Sequence, residues 1–247
     1  MKKQIFGAIV LIAALAITGC GNKKTNKKEK VEEERLTLEL NSKRPVNALE
    51  EFPNRALIIV DPQIDFISGS LATKKGAEAM DRLAEALMSD QAKSYRWIFI
   101  TQDAHPENHC SFKEQGGPFP PHCVQDTKGM EIYPRLHDAL EPLMNMNVQV
   151  APMYKGDLAD KEEFSVFQNE HSGEKLRRTI NEFENFDGID VCGIATDYCV
   201  YQTVKDLIEF YPASKVRVIT NCIAAVDEND TKLAKLMKKK HIKGIEF

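Results

Sequence analysis

One cysteine of this chain lies where a thiol could act as a nucleophile. Cys199 belongs to the stretch VCGIATDYCVYQTVKDL (191–207), in which a short apolar run ends in a turn of small residues. Apolar residues then recur at helical spacing, and Thr196 and Asp197 offer N-cap oxygens, so we expect a strand followed by a helix. Cys199 would lie in the first helical turn, where free N–H groups and the helix dipole favour a thiolate. The alternative is a small buried apolar residue.

Three further reactive side chains follow predicted strands. Asp61 comes after ALIIV, Asp103 after WIFIT, and Lys155 after NVQVAP. An aspartate after a strand is often a turn former, and a lysine is usually solvated. However, parallel strands end at one edge of their sheet, where ligands bind in open α/β folds. The joint placement of these three side chains with Cys199 therefore favours an active site.

A thiol between a carboxylate and an ammonium group indicates acyl transfer. We expect Lys155 to hold Cys199 as a thiolate, which attacks a carbonyl carbon and forms a thioester. Asp61 would carry a proton to the leaving group, and water would release the acid. The backbone N–H groups of Ala195 and Cys199, at the predicted turn, are expected to form the oxyanion hole.

A second candidate site lies in the loop QDAHPENHCSFKEQGGPFPPHCVQD (102–126). Asp103 and His105 alternate and project to one side of an extended chain, while His109 and His122 lie further along a loop that could fold back. Carboxylate and imidazole ligands suit zinc, manganese or iron rather than calcium. The alternative is that the loop histidines are surface residues. Three other histidines lack such company and are expected at the surface: His137, His171 and His241.

The elements that position these residues alternate along the chain. Predicted strands cover 56–60, 97–101, 147–152, 191–195 and 216–220, with a short final strand within 242–247. Predicted helices cover 77–88, 173–183 and 231–240, and the apolar side of the first would include Ala84, Leu87 and Met88. Alternating strands and helices predict a three-layer α/β domain with an open, mostly parallel sheet. We expect one such domain, over 55–247.

These motifs together resemble nicotinamidases of the isochorismatase-like cysteine hydrolase superfamily, over about residues 55 to 247. ALIIVDPQIDF is similar to the strand that carries the catalytic aspartate (Asp61), YKG to the catalytic lysine motif (Lys155) and GIATDYCV to the nucleophile turn (Cys199). DAHPENHCSF and PPHCV are similar to the metal-binding loop. The resemblance implies an isochorismatase-like fold and hydrolysis of nicotinamide to nicotinate and ammonia.

The resemblance also implies roles for individual residues. It implies a divalent metal, most simply zinc, held by Asp103, His105 and His122. His109 would assist these ligands directly or through water, and the metal would bind the pyridine nitrogen. The resemblance places Phe66 and Phe119 against the pyridine ring and makes the Ile194–Ala195 peptide bond cis. The stretch 164–167 (FSVF) approximates a tyrosine-containing pocket motif.

The first residues of the chain have the composition of a secretion signal. Two lysines precede an apolar run that is short for a membrane span, and the run ends in ITGC. Its ending resembles a bacterial lipobox, which predicts a lipoprotein signal peptide over 1–19 and acylation of Cys20; a plain signal peptide or a retained anchor is the alternative. Residues 20–54 would be the acylated cysteine, a charged tether and a lead-in. We therefore expect a lipid-anchored protein of the bacterial cell envelope, on the periplasmic or cell-surface side.

The composition limits the partners. The net charge of −4, with basic residues scattered among acidic ones, gives no case for nucleic acid. A small-molecule amide is the expected partner, with the membrane contacted only through the lipid and a homo-oligomer possible. Two cysteines, Cys110 and Cys123, are close enough in sequence to pair, and their pairing stays open. Two other functions also stay open: hydrolysis of another small amide, and binding by a surface lipoprotein without turnover.

Overall fold

The computed structural model describes residues 54–146 and 148–247. The predicted leader, Cys20 and the tether lie outside these residues. The strands are β1 (Arg55–Val60), β2 (Tyr95–Asp103), β3 (Gln149–Lys155), β4 (Gly188–Ile194), β5 (Val216–Ala224) and β6 (Lys243–Ile245). The helices are α1 (Ile64–Ile67), α2 (Gly76–Leu87), α3 (Pro134–Met144), α4 (Glu170–Arg178), α5 (Tyr201–Leu207) and α6 (Lys232–Lys240).

Short turns of other helical types link these elements. Two are π-helical, Thr179–Glu184 after α4 and Thr196–Val200 before α5. The 3₁₀ turns are Asp90–Ser94, Lys113–Gln115, Lys128–Met130, Val166–Gln168 and Ala213–Lys215. In the part of the chain that the structure describes, no helix is both long and apolar enough to cross a membrane.

The six strands form one sheet in the order β3-β2-β1-β4-β5-β6. Every paired neighbour is parallel, so the mostly parallel sheet expected from the sequence is, over these strands, entirely parallel. The strand order reverses direction between β1 and β4, where crossovers leave toward opposite edges. Such a reversal opens a crevice at the carboxyl ends of the strands, which is where open α/β sheets bind ligands.

The two faces of the sheet carry separate apolar cores. Leu57 and Ile59 of β1 pack in one core with side chains of α2 and α3. Ile58 and Val60 point to the opposite face and pack with side chains of α4, α5 and α6. Because both faces are covered, the central strands are apolar at almost every position, and β4 is buried along its whole length. The predicted three-layer α/β domain is confirmed.

Some element boundaries differ from those predicted. β2 and β3 run on to Asp103 and Lys155, which pair with each other across the two strands. Both side chains were expected in loops after the strands, because polar residues usually mark a strand end. Met88 was expected on the apolar side of α2 but is 60% exposed, because it follows the last helical residue.

Helix α3 was missed by the sequence analysis. Its buried side chains recur at helical spacing, and Pro134 occupies its first turn, where proline is favoured. These signals were present in the sequence. The buried residues are Leu136, Ala139, Leu140 and Leu143.

A buried carboxylate lies in the half of the sheet opposite the carboxyl ends. Asp190 of β4 accepts hydrogen bonds from Arg217 Nε at 2.8 Å, from Arg55 Nη2 at 2.5 Å and from Tyr95 Oη at 2.7 Å. Burial would raise the pKa of Asp190, but these hydrogen bonds hold it below its ordinary value. The charged form of Asp190 therefore stabilises the fold. A carboxyl whose pKa is lower in the folded than in the unfolded protein stabilises the fold fully at pH values above its unfolded pKa, about 3.9 for aspartate. That stabilisation is lost as the pH falls through the folded pKa.

Acid sensitivity should therefore depend on Asp190. We expect the free energy of unfolding of the wild type to fall between about pH 5 and pH 2, and that of Asp190→Asn to be lower at pH 7 but flatter over the same range. Urea unfolding of metal-free protein at several pH values measures both curves. The exposed Asp187→Asn is the matched control and should follow the wild type. Parallel curves for wild type and Asp190→Asn would contradict this role.

Candidate active site

Four reactive side chains meet at the crevice between β1 and β4. Asp61 directly follows β1, Asp103 and Lys155 end β2 and β3, and Cys199 lies in the turn after β4. All four side chains are at most 6% exposed. Four neighbouring parallel strands thus bring together residues that are far apart in sequence. The expected convergence of these residues on one sheet edge is what the geometry shows.

Lys155 lies at the centre of this group. Its Nζ is 2.9 Å from Asp61 Oδ2 and 2.5 Å from Asp103 Oδ1, and it donates hydrogen bonds to the backbone oxygen of Glu163 (3.1 Å) and to Cys199 Sγ (3.6 Å). Burial would lower the pKa of Lys155, but the carboxylates of Asp103 and Asp61 raise it well above its ordinary value. Lys155 is therefore charged and balances carboxylate charge in a site that excludes water.

The two aspartates have different electrostatic environments. Burial raises the pKa of Asp61 above its ordinary value, against the opposing effect of Lys155. Burial would also raise the pKa of Asp103, but Lys155 and His105 hold it well below its ordinary value. Asp61 is thus the carboxyl that can take up a proton, while Asp103 stays ionised. Two carboxyls with opposite pKa shifts are typical of a site that divides proton transfer from charge stabilisation.

The surroundings of Cys199 oppose a resting thiolate. Burial raises the pKa of the Cys199 thiol well above its ordinary value, more than Lys155 lowers it, and Asp61 raises it further. The expectation that Lys155 holds Cys199 as a thiolate is therefore opposed by desolvation, because burial disfavours the charged form.

The turn after β4 has the predicted strand-to-helix form but a different cap. The Ile194–Ala195 peptide bond is cis, as the resemblance implied. Ala195 precedes the π-helical turn without a side-chain cap, so Thr196 and Asp197 do not cap it. Instead, the carboxylate of Asp197 accepts hydrogen bonds from the N–H groups of Val226 and Asp227, at 3.0 and 2.9 Å. Asp197 therefore ties the nucleophile turn to the loop after β5.

Gly193 lets this turn approach the neighbouring strand. It has a φ of 117°, which favours glycine, and a Cβ placed there would lie 2.1 Å from the backbone oxygen of Val60. The glycine is therefore required where β4 passes β1 beside Asp61.

Three side chains form a candidate metal site next to Lys155. Asp103, His105 and His122 each offer one ligand atom, and these atoms lie within 4.8 Å of one another. Nδ1 of His105 donates to the backbone oxygen of Gly156 (2.9 Å), and Nδ1 of His122 donates to that of Pro120 (2.8 Å). Both Nε2 lone pairs are therefore available, and backbone bonds of this kind orient metal-binding histidines.

The observed polar groups fit a metal ion. Nε2 of His105 is buried and has no hydrogen-bond partner among the described residues, which is costly unless a ligand binds it. It lies 3.6 Å from Asp103 Oδ2. One carboxylate and two imidazoles suit a divalent transition metal.

His109 does not join these three ligands. Its Nδ1 is 2.7 Å from Ser111 Oγ and its Nε2 is 3.0 Å from the backbone oxygen of Lys161, so both nitrogens are occupied. Its ring stacks on His105 with the centroids 3.9 Å apart. In this arrangement His109 fixes the loop and supports His105, and its assistance to the metal, directly or through water, stays a prediction. His137, His171 and His241 are exposed, as predicted.

A cavity with aromatic walls connects the thiol and the metal site. Cys199, Asp103, His122 and Ala195 line it, together with four aromatic side chains and three other residues. The aromatic residues are Phe66, Phe119, Phe164 and Tyr198, and the others are Leu71, Glu162 and Val226. Phe66 and Phe119, the two residues that the resemblance places against the ring, are among the walls of this cavity. Ala195 and Cys199, the residues predicted to form the oxyanion hole, both line it.

The sequence analysis missed several residues that hold the site. Thr101 Oγ1 donates to Asp61 Oδ1 at 2.6 Å. The side chain of Gln63 brackets Asp103, since its Oε1 accepts from the backbone N–H and its Nε2 donates to the backbone oxygen, both at 2.8 Å. Tyr198 was missed as a wall of the cavity. Its position next to Cys199 in the sequence could have indicated this role. The sequence around Thr101 and Gln63 contains no pattern that indicates theirs.

The cysteine pairing left open by the sequence is not formed. Cys110 and Cys123 are both free thiols, and so are the other cysteines of the described chain. Cys123 is fully buried, and its N–H donates to Asp65 Oδ2 at 2.7 Å, so it packs as part of the core beside the metal loop.

Comparison with known proteins agrees with the geometry. The isochorismatase domain model matches residues 55–242. The nicotinamidase/pyrazinamidase of Mycobacterium tuberculosis is 34% identical over 182 residues, which cover 72% of this chain and 90% of that protein. PnC1 from L. infantum, solved in complex with nicotinate, superposes with a TM-score of 0.66 at 32% identity, over 78% of this chain and 92% of that one.

A third relative was solved with a metal. The pyrazinamidase of Pyrococcus horikoshii in complex with zinc superposes with a TM-score of 0.63 at 30% identity, over 79% of this chain and 100% of that chain. The matched family model covers β1 to β5 and every residue of the site described above. This chain therefore belongs to the isochorismatase-like hydrolases, in the branch that contains the nicotinamidases.

Proposed function

We propose that this protein is a metal-dependent cysteine amidohydrolase that converts nicotinamide to nicotinate and ammonia. The observation that carries the proposal is the position of Lys155 Nζ, 2.9 Å from Asp61 and 3.6 Å from Cys199, which lines a cavity together with Asp103 and His122. The nucleophile therefore faces an aromatic cavity, and the proton carrier lies in the same group of buried side chains. The relatives named for nicotinamide hydrolysis support the same conclusion.

The first half of the reaction forms a thioester. The thiol of Cys199 gives its proton to Asp61, and the sulfur attacks the amide carbon while Lys155 stabilises the developing charge. The N–H groups of Ala195 and Cys199 stabilise the oxyanion. As the C–N bond breaks, Asp61 returns the proton to the nitrogen, and ammonia leaves.

The second half releases the acid. A water molecule gives a proton to Asp61 and attacks the thioester carbon, and the C–S bond breaks. Asp61 then returns the proton to the sulfur, and the nicotinic acid departs and releases its proton to water as nicotinate. The raised pKa of Asp61 suits this cycle, because a residue that acts first as a base and then as an acid must hold a proton for part of each turnover.

Asp103, His105 and His122 would hold the metal, which we propose is zinc. The ligand set fits zinc, and a relative that shares the fold was solved with zinc. A bound divalent ion supplies a Lewis acid for the pyridine nitrogen of the substrate. Phe66 and Phe119 would pack against the ring. Iron and manganese are the other outcomes that metal analysis of purified protein distinguishes.

A panel of amides tests the substrate. We expect kcat/KM for nicotinamide to exceed that for benzamide by about 10-fold or more, because a site built to bind a ring nitrogen discriminates against its absence. Ammonia release measures both, with metal saturating and after chelation. His105→Ala should reduce the preference, while the exposed His137→Ala should keep it. Equal rates for the two amides favour another small amide, and no turnover of any amide favours a binding protein.

We also propose that the protein is exported and acylated at Cys20. The support is the ending Ile17-Thr18-Gly19-Cys20 after a basic and then apolar run. Mass spectrometry of membrane-extracted protein should find a lipid-modified residue 20 at the N-terminus, and Cys20→Ala should release the protein from the membrane fraction. An unmodified N-terminus at another residue would indicate a plain signal peptide.

A further inference from the structure

We propose that the carboxylate of Glu163 is a positioning residue that sets the direction of the Lys155 ammonium group. This inference rests on the proposed function only in taking Lys155 as part of the catalytic group. Glu163 is 1% exposed, and its side chain touches neither the cavity nor Cys199. A buried carboxylate away from the reacting atoms needs another explanation, because burying a charge is costly unless it is paired and hydrogen bonded.

Glu163 acts on Lys155 from two directions. Its backbone oxygen accepts a hydrogen bond from Lys155 Nζ at 3.1 Å. Its side-chain Oε2 accepts from the backbone N–H of Gly156, the next residue after Lys155, at 2.9 Å. Glu163 therefore holds both the tip of the lysine side chain and the backbone that carries it.

The carboxylate is itself fixed to rigid structure. Asn169 donates from Nδ2 to Glu163 Oε2 at 2.9 Å, while its Oδ1 caps α4 by accepting from the N–H of Ser172 at 2.9 Å. Lys161 Nζ pairs with Glu163 Oε1 at 2.7 Å. The segment between β3 and α4 is thereby fastened at a point next to the catalytic ammonium. The burial of Glu163 would raise its pKa, but these partners hold it below the ordinary value.

The geometry explains why this matters for Cys199. An ammonium group has three N–H donors, and in this structure they are directed at Asp103 Oδ1, the Glu163 oxygen and Cys199 Sγ. If the Glu163 oxygen moves, the ammonium group can turn toward the two carboxylates, Asp103 Oδ1 at 2.5 Å and Asp61 Oδ2 at 2.9 Å, and the donor aimed at the sulfur is lost. The thiolate that forms during the reaction would then be less stabilised.

The experiment compares variants of Glu163 with a matched control. Glu163→Met keeps a side chain of similar length but accepts no hydrogen bond from Gly156 or Asn169, and Glu163→Ala removes the side-chain bonds and the packing together. Glu170→Gln removes one exposed carboxylate nearby and is the control. With metal kept saturating, the rate of iodoacetamide alkylation at Cys199 is measured by peptide-resolved mass spectrometry, together with kcat, KM and the melting temperature.

We expect Glu163→Met to lower both kcat and the Cys199 alkylation rate by about 10- to 100-fold, with KM within about threefold of the wild type. Glu163→Ala should lower them further, and Glu170→Gln should match the wild type. Wild-type alkylation of Cys199 in folded Glu163→Met, or a change confined to KM, would overturn the proposal. If Glu163→Ala fails to fold, Glu163→Met alone decides. Because alkylation needs no substrate, it tests Glu163 even if nicotinamide is not the substrate.

Discussion

Replacing Cys199 with alanine is expected to lower kcat for nicotinamide by about 10⁴-fold or more. Alanine has no atom that can form the thioester, so the covalent route is lost and only the polar environment of the site remains. Binding should persist, because the cavity walls and the metal ligands are unchanged. Ammonia release measures the rate, and calorimetric titration should give a nicotinamide Kd within about threefold of the wild type.

The matched control is Cys110→Ala, which removes a free, partly exposed thiol outside the cavity. It should keep wild-type kcat. Substantial turnover by Cys199→Ala would show that water attacks the amide directly, and the thioester mechanism would then be rejected. Loss of both turnover and binding would instead point to a structural role for the thiol.

The second large effect is expected for Lys155→Met. This change leaves the buried carboxylates of Asp61 and Asp103 facing each other without a cation. Removing one partner of a buried ion pair typically lowers the free energy of unfolding by about 3–5 kcal/mol. The same change should lower kcat by about 10²- to 10⁴-fold, because the thiolate loses its stabilising charge. Urea unfolding and ammonia release at pH 7 measure the two effects.

A double variant separates charge from packing. In Lys155→Met/Asp61→Asn one of the two carboxylates is neutral, so the loss of stability should be smaller than the sum of the single losses. The exposed Lys235→Met is the control and should change neither quantity by much. Additive losses in the double variant would mean that Lys155 stabilises the fold through its packing, and not through its charge.

Residues whose positions follow from strand order could be placed from the sequence alone. The carboxyl ends of parallel strands lie at one edge of the sheet, so the sequence alone predicted that four side chains would meet there: Asp61, Asp103, Lys155 and Cys199. The same reasoning applies to the three-layer fold, because apolar strands alternating with amphipathic helices have few other arrangements.

Prediction from sequence is weakest where the partner of a polar group is distant in sequence. Asp197 has the residue type and location of an N-cap, but its carboxylate binds two N–H groups on a loop 29 and 30 residues away. The local pattern gives the capacity to bond, and only the folded chain selects the partner.

The protonation of Cys199 depends on burial in the same way. A helix start suggests a low pKa, and Lys155 acts in that direction. The opposing desolvation depends on how completely β1, β4 and the loop walls exclude water, which no local pattern encodes. Glu163 is similar: a glutamate in a charged segment is ordinarily solvated, and here it is almost fully buried.

The position of the site at the carboxyl ends of four neighbouring strands has a consequence for how activity arises. Three of its contacts join residues 40, 52 and 44 positions apart: Thr101 to Asp61, Lys155 to Asp103, and Lys155 to Cys199. Closing chain segments of that length is entropically costly, and no one of them is completed by local structure. During synthesis, the triad is therefore incomplete until the turn beyond β4 has emerged. In refolding, regained turnover reports assembly of the central sheet and not the formation of any single helix.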